Sequence, residues 1–444
     1  MTIAVLLLLF FGLLAIGAPV AVSLGLSSMA TALVFAPIPL PVIGQKVFGN
    51  VSHFTLMAVP FFFFAAALME TGGLVRRLVN LANAFVGHWR GGLGITAVAT
   101  CMLFAAISGS SPATVAAVGR VMYPSLLKAG YSARYSIGAL ATAGSLGILI
   151  PPSIPMILYG FVTETSVTRL FMAGVLPGIL YGCGLMLMAR FLAPRTLLTD
   201  SAGETKPASW RERWATLQSA GPALMLPLCI FVGIYGLPEF TVFGLHHESG
   251  GIFTPTEAAV VAAALALVIG LIIYRETTLK SAAQTIIATA PGVGMVFFIT
   301  MNALLFAFFV TKLGVPNAVG QFLVQLHMPQ WLFLLMVNVI LIIVGFFLEG
   351  VPTILMFIPL LFPAAKALGV DPIHFGIIVV VNIELGLIHP PVGLNLFVGS
   401  SISGLPVMEV FRAVLPWLCV TFGTLLLITY VPQISLVLPN LLFN

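Results

Sequence analysis

Residues 146–160 read LGILIPPSIPMILYG, and residues 385–399 read LGLIHPPVGLNLFVG. Adjacent prolines are poor material for a helix interior, because the ring removes a donor and clashes with the preceding turn. Both pairs nevertheless sit in long apolar runs. A single pair reads as a packed kink, which membrane helices tolerate. Two pairs 239 positions apart demand more, and the same ungapped offset aligns Pro124 with Pro363, Gly130 with Gly369, Gly147 with Gly386, Gly160 with Gly399 and Pro177 with Pro416. Matches of Gly and Pro on one diagonal identify an internal duplication.

The solvent follows from composition. Of 444 residues, 60% are hydrophobic and 7% charged, and the mean hydropathy is +1.15. Soluble domains carry about 25% charged residues. Apolar runs of bilayer-crossing length, roughly 20 residues, recur about ten to twelve times. The pattern predicts an all-α polytopic membrane protein, since the runs are continuous rather than alternating as in a barrel. The first run, Ile3 to Ala36, is too long for a cleaved signal and reads as a retained span. A net charge of +5 is what orienting basic loops leave behind, so it implies no nucleic-acid partner. Cys101, Cys183, Cys229 and Cys419 lack paired spacing and suggest neither disulfide nor metal.

Charge also orients the copies. Residues 73–134 hold six Lys and Arg (Arg76, Arg77, Arg90, Arg120, Lys128, Arg134), whereas 312–373 hold two, Lys312 and Lys366. Inverted-topology repeats with opposite flanks in the cytoplasm produce this asymmetry. The polar stretch 193–221, with Arg195, Lys206, Arg211 and Arg213, reads as cytoplasmic, and the Lys/Arg-free stretch 238–251 as outer. The predicted organisation is a first half 1–192, a linker 193–219 and a second half 220–444. Each half holds a re-entrant hairpin (about 92–119 and about 331–358) and a Pro-Pro-broken helix (about 135–160 and about 373–400). Residues 71–92, with basic groups and Trp89, suit an interfacial amphipathic arm.

Four interruptions collect the polar residues. The first half supplies Ser108, Gly109, Ser110, Ser111, Pro112 and Thr114 at the hairpin, and Gly144, Ser145, Gly147, Pro151, Pro152 and Ser153 at the broken helix. The second supplies Glu349, Gly350 and Thr353, then Asn382, Glu384, Gly386, His389, Pro390, Pro391, Gly393 and Asn395. A broken helix presents carbonyls that coordinate a cation and N–H groups whose dipole attracts an anion. Proline suits the first turn of the restarted half, where no donor is needed. Paired breaks of this kind form the midplane binding site of secondary transporters. Glu349 and Glu384 sit in apolar surroundings where a charge costs at least about 2.5 kcal/mol, and His389 is placed to donate to a carboxylate. No Lys or Arg occurs in the four interruptions, so helix ends and cations must balance an anionic substrate. An enzyme is disfavoured: no nucleophile–base order or metal-spaced set appears, and the GSS at 109–111 lacks the G-x-S-x-G form.

The stretches SGSSPATVAAVG, LGILIPPSIPM, FTPTEAA and NIELGLIHPPVGLNLFV resemble, in order, the signature stretches of the large membrane subunit of tripartite ATP-independent periplasmic (TRAP) transporters. GHWRGGLG, HPPVGLN and YVPQISLVLPN look most like its C4-dicarboxylate branch. The resemblance covers nearly the whole chain. It implies an elevator-type, Na⁺-coupled importer of small carboxylates such as succinate, malate or fumarate in the bacterial inner membrane, without a further cofactor. It also implies two partners, a small four-span membrane subunit and a periplasmic substrate-binding protein. Carried over by motif, the first-half residues above make one Na⁺ site and the second-half residues another, with substrate between. A sialic acid substrate, or a self-sufficient anion carrier, is the competing transporter reading.

Overall fold

The computed structural model describes residues 2–34, 39–193, 207–236, 240–242, 245–247, 251–316, 318 and 326–443. Among them the chain is helical apart from a small antiparallel ladder, Phe240–Val242 with Leu245–His247. Among the described residues eight helices are long and apolar enough to cross a membrane, and seven shorter apolar helices accompany them. The count of about ten to twelve came from apolar runs of roughly 20 residues, and breaks within those runs account for the difference. The first run divides into Thr2–Ala15 and Val20–Val34. Gly17 takes a left-handed φ of +85° there, and Pro19 follows it without an N–H to continue the helix. Phe35 and Ala36 lie outside the described residues, as do 194–206 of the expected linker and half of the expected outer stretch 238–251.

The linker also ends sooner than its composition suggests. Helix Trp210–Tyr235 begins inside it, because Ser209 and Glu212 form a reciprocal capping box. A serine three residues before a glutamate is itself a helix-start signal. The arm expected over 71–92 contains the amphipathic helix Leu74–Val86, which buries Leu74, Val75, Leu78, Leu81, Ala82 and Ala84. Left-handed Gly73 and Gly91 flank it.

Each half holds a hairpin followed by a broken helix. The first hairpin is Gly92–Ser108 followed by Ser111–Lys128, and the second is Gln330–Gly345 followed by Gly350–Ala367. Both second arms run beyond the bounds read from sequence. The first broken helix is Ala133–Ala143, a turn Leu146–Leu149, then Ile154–Thr163; the second is Pro372–Leu387 then Leu394–Ser403. Left-handed Gly130 and Gly369, the same offset apart, join hairpin to broken helix in each copy. Pro151–Pro152 and Pro390–Pro391 are both cis.

Packing between the copies is reciprocal. Helix Ile154–Thr163 lies against Gly350–Ala367, and Leu394–Ser403 lies against Ser111–Lys128. Helix Val407–Tyr430 packs on Ala133–Ala143, while Val167–Leu192 packs on Pro372–Leu387. Hairpins, broken helices and these long helices make one interlocked body. A second group, including Val20–Val34, Leu40–Val51, Ala58–Thr71, Pro255–Val268 and Leu279–Lys312, packs alongside it. Within the interlocked body two helix backbones nearly touch: a Cβ on Gly386 would stand 2.7 Å from the Cα of Gly345. Glycine pairs permit such close approach in membrane bundles, where packing replaces the hydrophobic effect.

Candidate functional site

A cavity of about 60 Å³ opens where the two hairpin tips meet. Gly109, Ser110, Ser111 and Pro112 line it from the first tip, and Glu349, Gly350 and Val351 from the second. Ile148, Ile154 and Pro155 reach it from the first broken helix, and Ile383 and Leu387 from the second. Phe63 and Val296, from the neighbouring group of helices, close the remaining wall. Three helices, Ser111–Lys128, Ile154–Thr163 and Gly350–Ala367, begin at lining residues. Their positive dipole ends therefore converge on one volume, with the first-turn N–H groups of Ile154–Thr163 already held by the Gly109 carbonyl and Ser153 Oγ. Among the lining residues Glu349 is the only charged side chain.

The first tip is a knot of hydroxyls. Ser108 Oγ lies 2.7 Å from Thr114 Oγ1, and Thr114 donates to the Ser110 carbonyl at 2.9 Å. Gly147 comes so close that a Cβ there would stand 2.5 Å from the Ser110 carbonyl oxygen and 2.6 Å from Thr114 Oγ1. The tip is pinned to the broken helix by the N–H of Ile154, which donates to the Gly109 carbonyl at 3.4 Å. Gly109 needs its left-handed φ of +60° here, and a Cβ would meet the Pro152 carbonyl oxygen at 2.9 Å. Ser153 caps Ile154–Thr163, accepting from the Met156 N–H. Gly144 abuts Val115. Ser145 turns away to bond the Tyr181 hydroxyl at 2.8 Å, which reaches Thr421 at 2.9 Å.

The second tip has one bond of the same kind, from the Thr353 hydroxyl to the Glu349 carbonyl at 2.8 Å. It too is tied to its broken helix, by the Val392 N–H donating to the Phe346 carbonyl at 3.2 Å. His389 does not face the cavity. Its ring stacks on Phe346 at 4.8 Å and meets Phe411 edge-on at 5.2 Å. The Gly393 N–H donates to the His389 carbonyl at 2.9 Å, closing the turn through Pro390 and Pro391. Asn382 bonds Asn338 Oδ1 at 2.8 Å, and Asn338 bonds the Thr429 hydroxyl at 3.0 Å. His374 continues this buried chain to Ser435 at 2.8 Å.

Grouping by half separates residues that the structure joins. Glu384 and Asn395, expected at a second-half site, both bond Ser111 of the first hairpin, at 3.4 Å and 2.8 Å. Tyr181, Thr421, Asn338 and His374 were not singled out from sequence. Asn338 and His374 carried a usable signal, being polar groups inside apolar runs, which in a membrane default to function. Phe63 and Val296 carried none, because any apolar residue of a span looks alike.

Two helical hairpins and two broken helices around this cavity define a multi-pass, all-α membrane fold. The family model for the DctM component of tripartite ATP-independent periplasmic transporters matches residues 7–434, and the chain belongs to that family. It is 45% identical to the C4-dicarboxylate TRAP transporter large permease protein DctM of Pseudomonas aeruginosa, covering 94% of both chains. The protein of the same name from Rhodobacter capsulatus is 40% identical, with 98% of this chain and 99% of that one covered. Among solved structures the YdaH transporter of Alcanivorax borkumensis shares the fold, with a TM-score of 0.63 at 18% identity over 90% of each chain.

Proposed function

We propose that the chain is the large permease of a Na⁺-coupled uptake system for C4-dicarboxylates in the bacterial inner membrane. It works with a small four-span subunit and a periplasmic binding protein that delivers the substrate. The observation that carries the reading is the convergence of three helix N-termini on a cavity between the two hairpin tips. Backbone N–H groups at a helix start bind carboxylates without any basic side chain, and this cavity has no Lys or Arg among its lining residues. The named relatives, which carry C4-dicarboxylate in their names, support the substrate class.

Na⁺ is carried with the substrate and offsets its charge. The oxygens of Ser108, Ser110 and Thr114, gathered at the first tip, are the hard ligands such a cation needs. Thr353 and the Glu349 carbonyl offer a smaller set at the second tip. Transport proceeds as an elevator: the interlocked body carries substrate past the second group of helices, whose Phe63 and Val296 form the fixed wall. Glu349 repels a dianion until cations neutralise the site, which couples substrate binding to ion binding.

The test is co-reconstitution of the permease with both partners in liposomes under an inward Na⁺ gradient. Succinate, malate and fumarate should accumulate, and a sialic acid should not. Uptake of the sialic acid alone overturns the substrate class. Undiminished uptake without a Na⁺ gradient overturns the coupling, and uptake without the binding protein overturns the tripartite assembly.

A further inference from the structure

Among the described residues Glu384 is the only fully buried acidic side chain, 1% exposed. Asn395 and Ser111 beside it are 0% exposed. One carboxylate oxygen of Glu384, Oε2, accepts from Ser111 Oγ at 3.4 Å. That hydroxyl oxygen accepts in turn from Asn395 Nδ2 at 2.8 Å, and Nδ2 also donates to the Ala141 carbonyl at 3.2 Å. The donors of this cluster are thereby committed. Glu384 Oε1, Asn395 Oδ1 and, on the residue after Ala141, Thr142 Oγ1 have no partner at hydrogen-bond geometry, the Ile148 N–H being the one backbone donor near the Glu384 carboxyl group. The four ion pairs among the described residues all lie elsewhere. A buried carboxylate without a cation, next to an unsatisfied amide oxygen, is an arrangement proteins otherwise avoid.

The duplication sharpens the point. The position equivalent to Glu384 in the first half is Ser145, whose hydroxyl is neutral and satisfied by Tyr181. The acidic group is thus an addition to the shared framework, not a requirement of its packing. It touches the opposite half, linking the second broken helix to the first hairpin tip.

We propose that Glu384, Asn395 and Ser111 form an additional Na⁺ site built across the two halves, separate from the oxygen sets at the two tips. The ligands are a carboxylate, an amide oxygen and a hydroxyl, all hard donors. The cation makes this part of the moving body electrically neutral. This inference rests on the Na⁺-coupled reading above, and its test separates the two.

The experiment uses the full chain with its small subunit in lipid nanodiscs, with choline holding ionic strength constant. Bound ²²Na⁺ is counted at saturation, and the melting temperature is followed against Na⁺ and, as control, K⁺. Glu384→Gln should bind one Na⁺ fewer than wild type, melt higher in Na⁺-free buffer and gain less from added Na⁺. Ser111→Ala should keep the count but need about tenfold more Na⁺ for half-saturation of that ion, the loss of one ligand. A carboxyl that carries a proton is mimicked by Gln, so an undiminished count with a wild-type Na⁺ melting curve overturns the proposal. If Glu384→Gln fails to fold, Ser111→Ala decides, and wild-type half-saturation there overturns it equally. Wild type that binds no Na⁺ at all overturns the coupling reading itself; wild type that binds Na⁺ no better than Glu384→Gln overturns only this site.

Discussion

At the first hairpin tip Ser110 stands before the restarted helix, and 239 positions later Glu349 stands in the same place before the second. Thr114 and Thr353 occupy matching positions and donate to matching carbonyls, at 2.9 and 2.8 Å. Beyond that pair the side chains diverge. Ser145 is answered by Glu384, Ile150 by His389 and Ser111 by Gly350. The first break is lined with neutral hydroxyls, whereas the second carries the acids. Backbone geometry is the duplicated part, because both breaks must present helix ends to one cavity. Charge is the part that differs, Glu349 and Glu384 standing where the first half has Ser110 and Ser145.

The comparison breaks first at its glycines. Gly147→Ala drives a methyl into the Ser110 carbonyl and Gly386→Ala drives one into Gly345. Overpacking costs about 1–3 kcal/mol, so uptake should fall by roughly tenfold to a hundredfold in each variant. An unaffected variant would mean that its half does not share the framework's demand. Glu349→Ser, which gives the second tip the first tip's residue, tests specialisation. Substrate binding should then need about tenfold less Na⁺, as expected for relieving one charge contact worth about 1.5 kcal/mol; an unchanged Na⁺ requirement would deny Glu349 its coupling role. Thr114→Val and Thr353→Val probe the shared bond. The first also removes the shortest of Ser108's hydrogen bonds, so it should raise half-saturating Na⁺ by about fivefold and the second by about twofold, from net bond energies near 0.5–1 kcal/mol. Equal shifts would erase the difference between the tips. The smallest effect lies at the rim, where Arg120 of the first hairpin pairs with Glu70 at 2.6 Å, while its counterpart is Pro359. Arg120→Gln should shift the inward–outward distribution by no more than about fivefold, since exposed pairs contribute about 0.2–1 kcal/mol. Accessibility of an introduced cavity cysteine reads that shift.

How far the sequence revealed this molecule depends on the kind of signal. Gly130 and Gly369, and the two Pro-Pro pairs, act through backbone geometry that few other residues supply, so the repeat could be seen from residue types alone. The arms ran longer than read because Pro124 and Pro363 lie within helices, where a proline inside a membrane span need not end it. The polar residues of the breaks were recognisable as a set, since each is costly in lipid. Their partners were not. That Glu384 turns to Ser111 and Ser145 to Tyr181 depends on reciprocal packing between halves, which no local pattern encodes. The cavity's outer wall, Phe63 and Val296, escaped notice for the same reason.

That reciprocal packing has a consequence for synthesis. Helix Ile154–Thr163 rests on Gly350–Ala367, a neighbour the ribosome reaches only near the end of the chain. At roughly 5–20 residues per second, the newborn first half waits on the order of tens of seconds with its polar break uncovered. Insertion and completion are therefore separate events: the early helices enter the bilayer on their own hydrophobicity, and the core closes only when the later segment threads in beside them. Two co-expressed polypeptides divided after Leu192 should reassemble into a functional permease, and either one alone should be degraded, as pulse-chase in membranes would record.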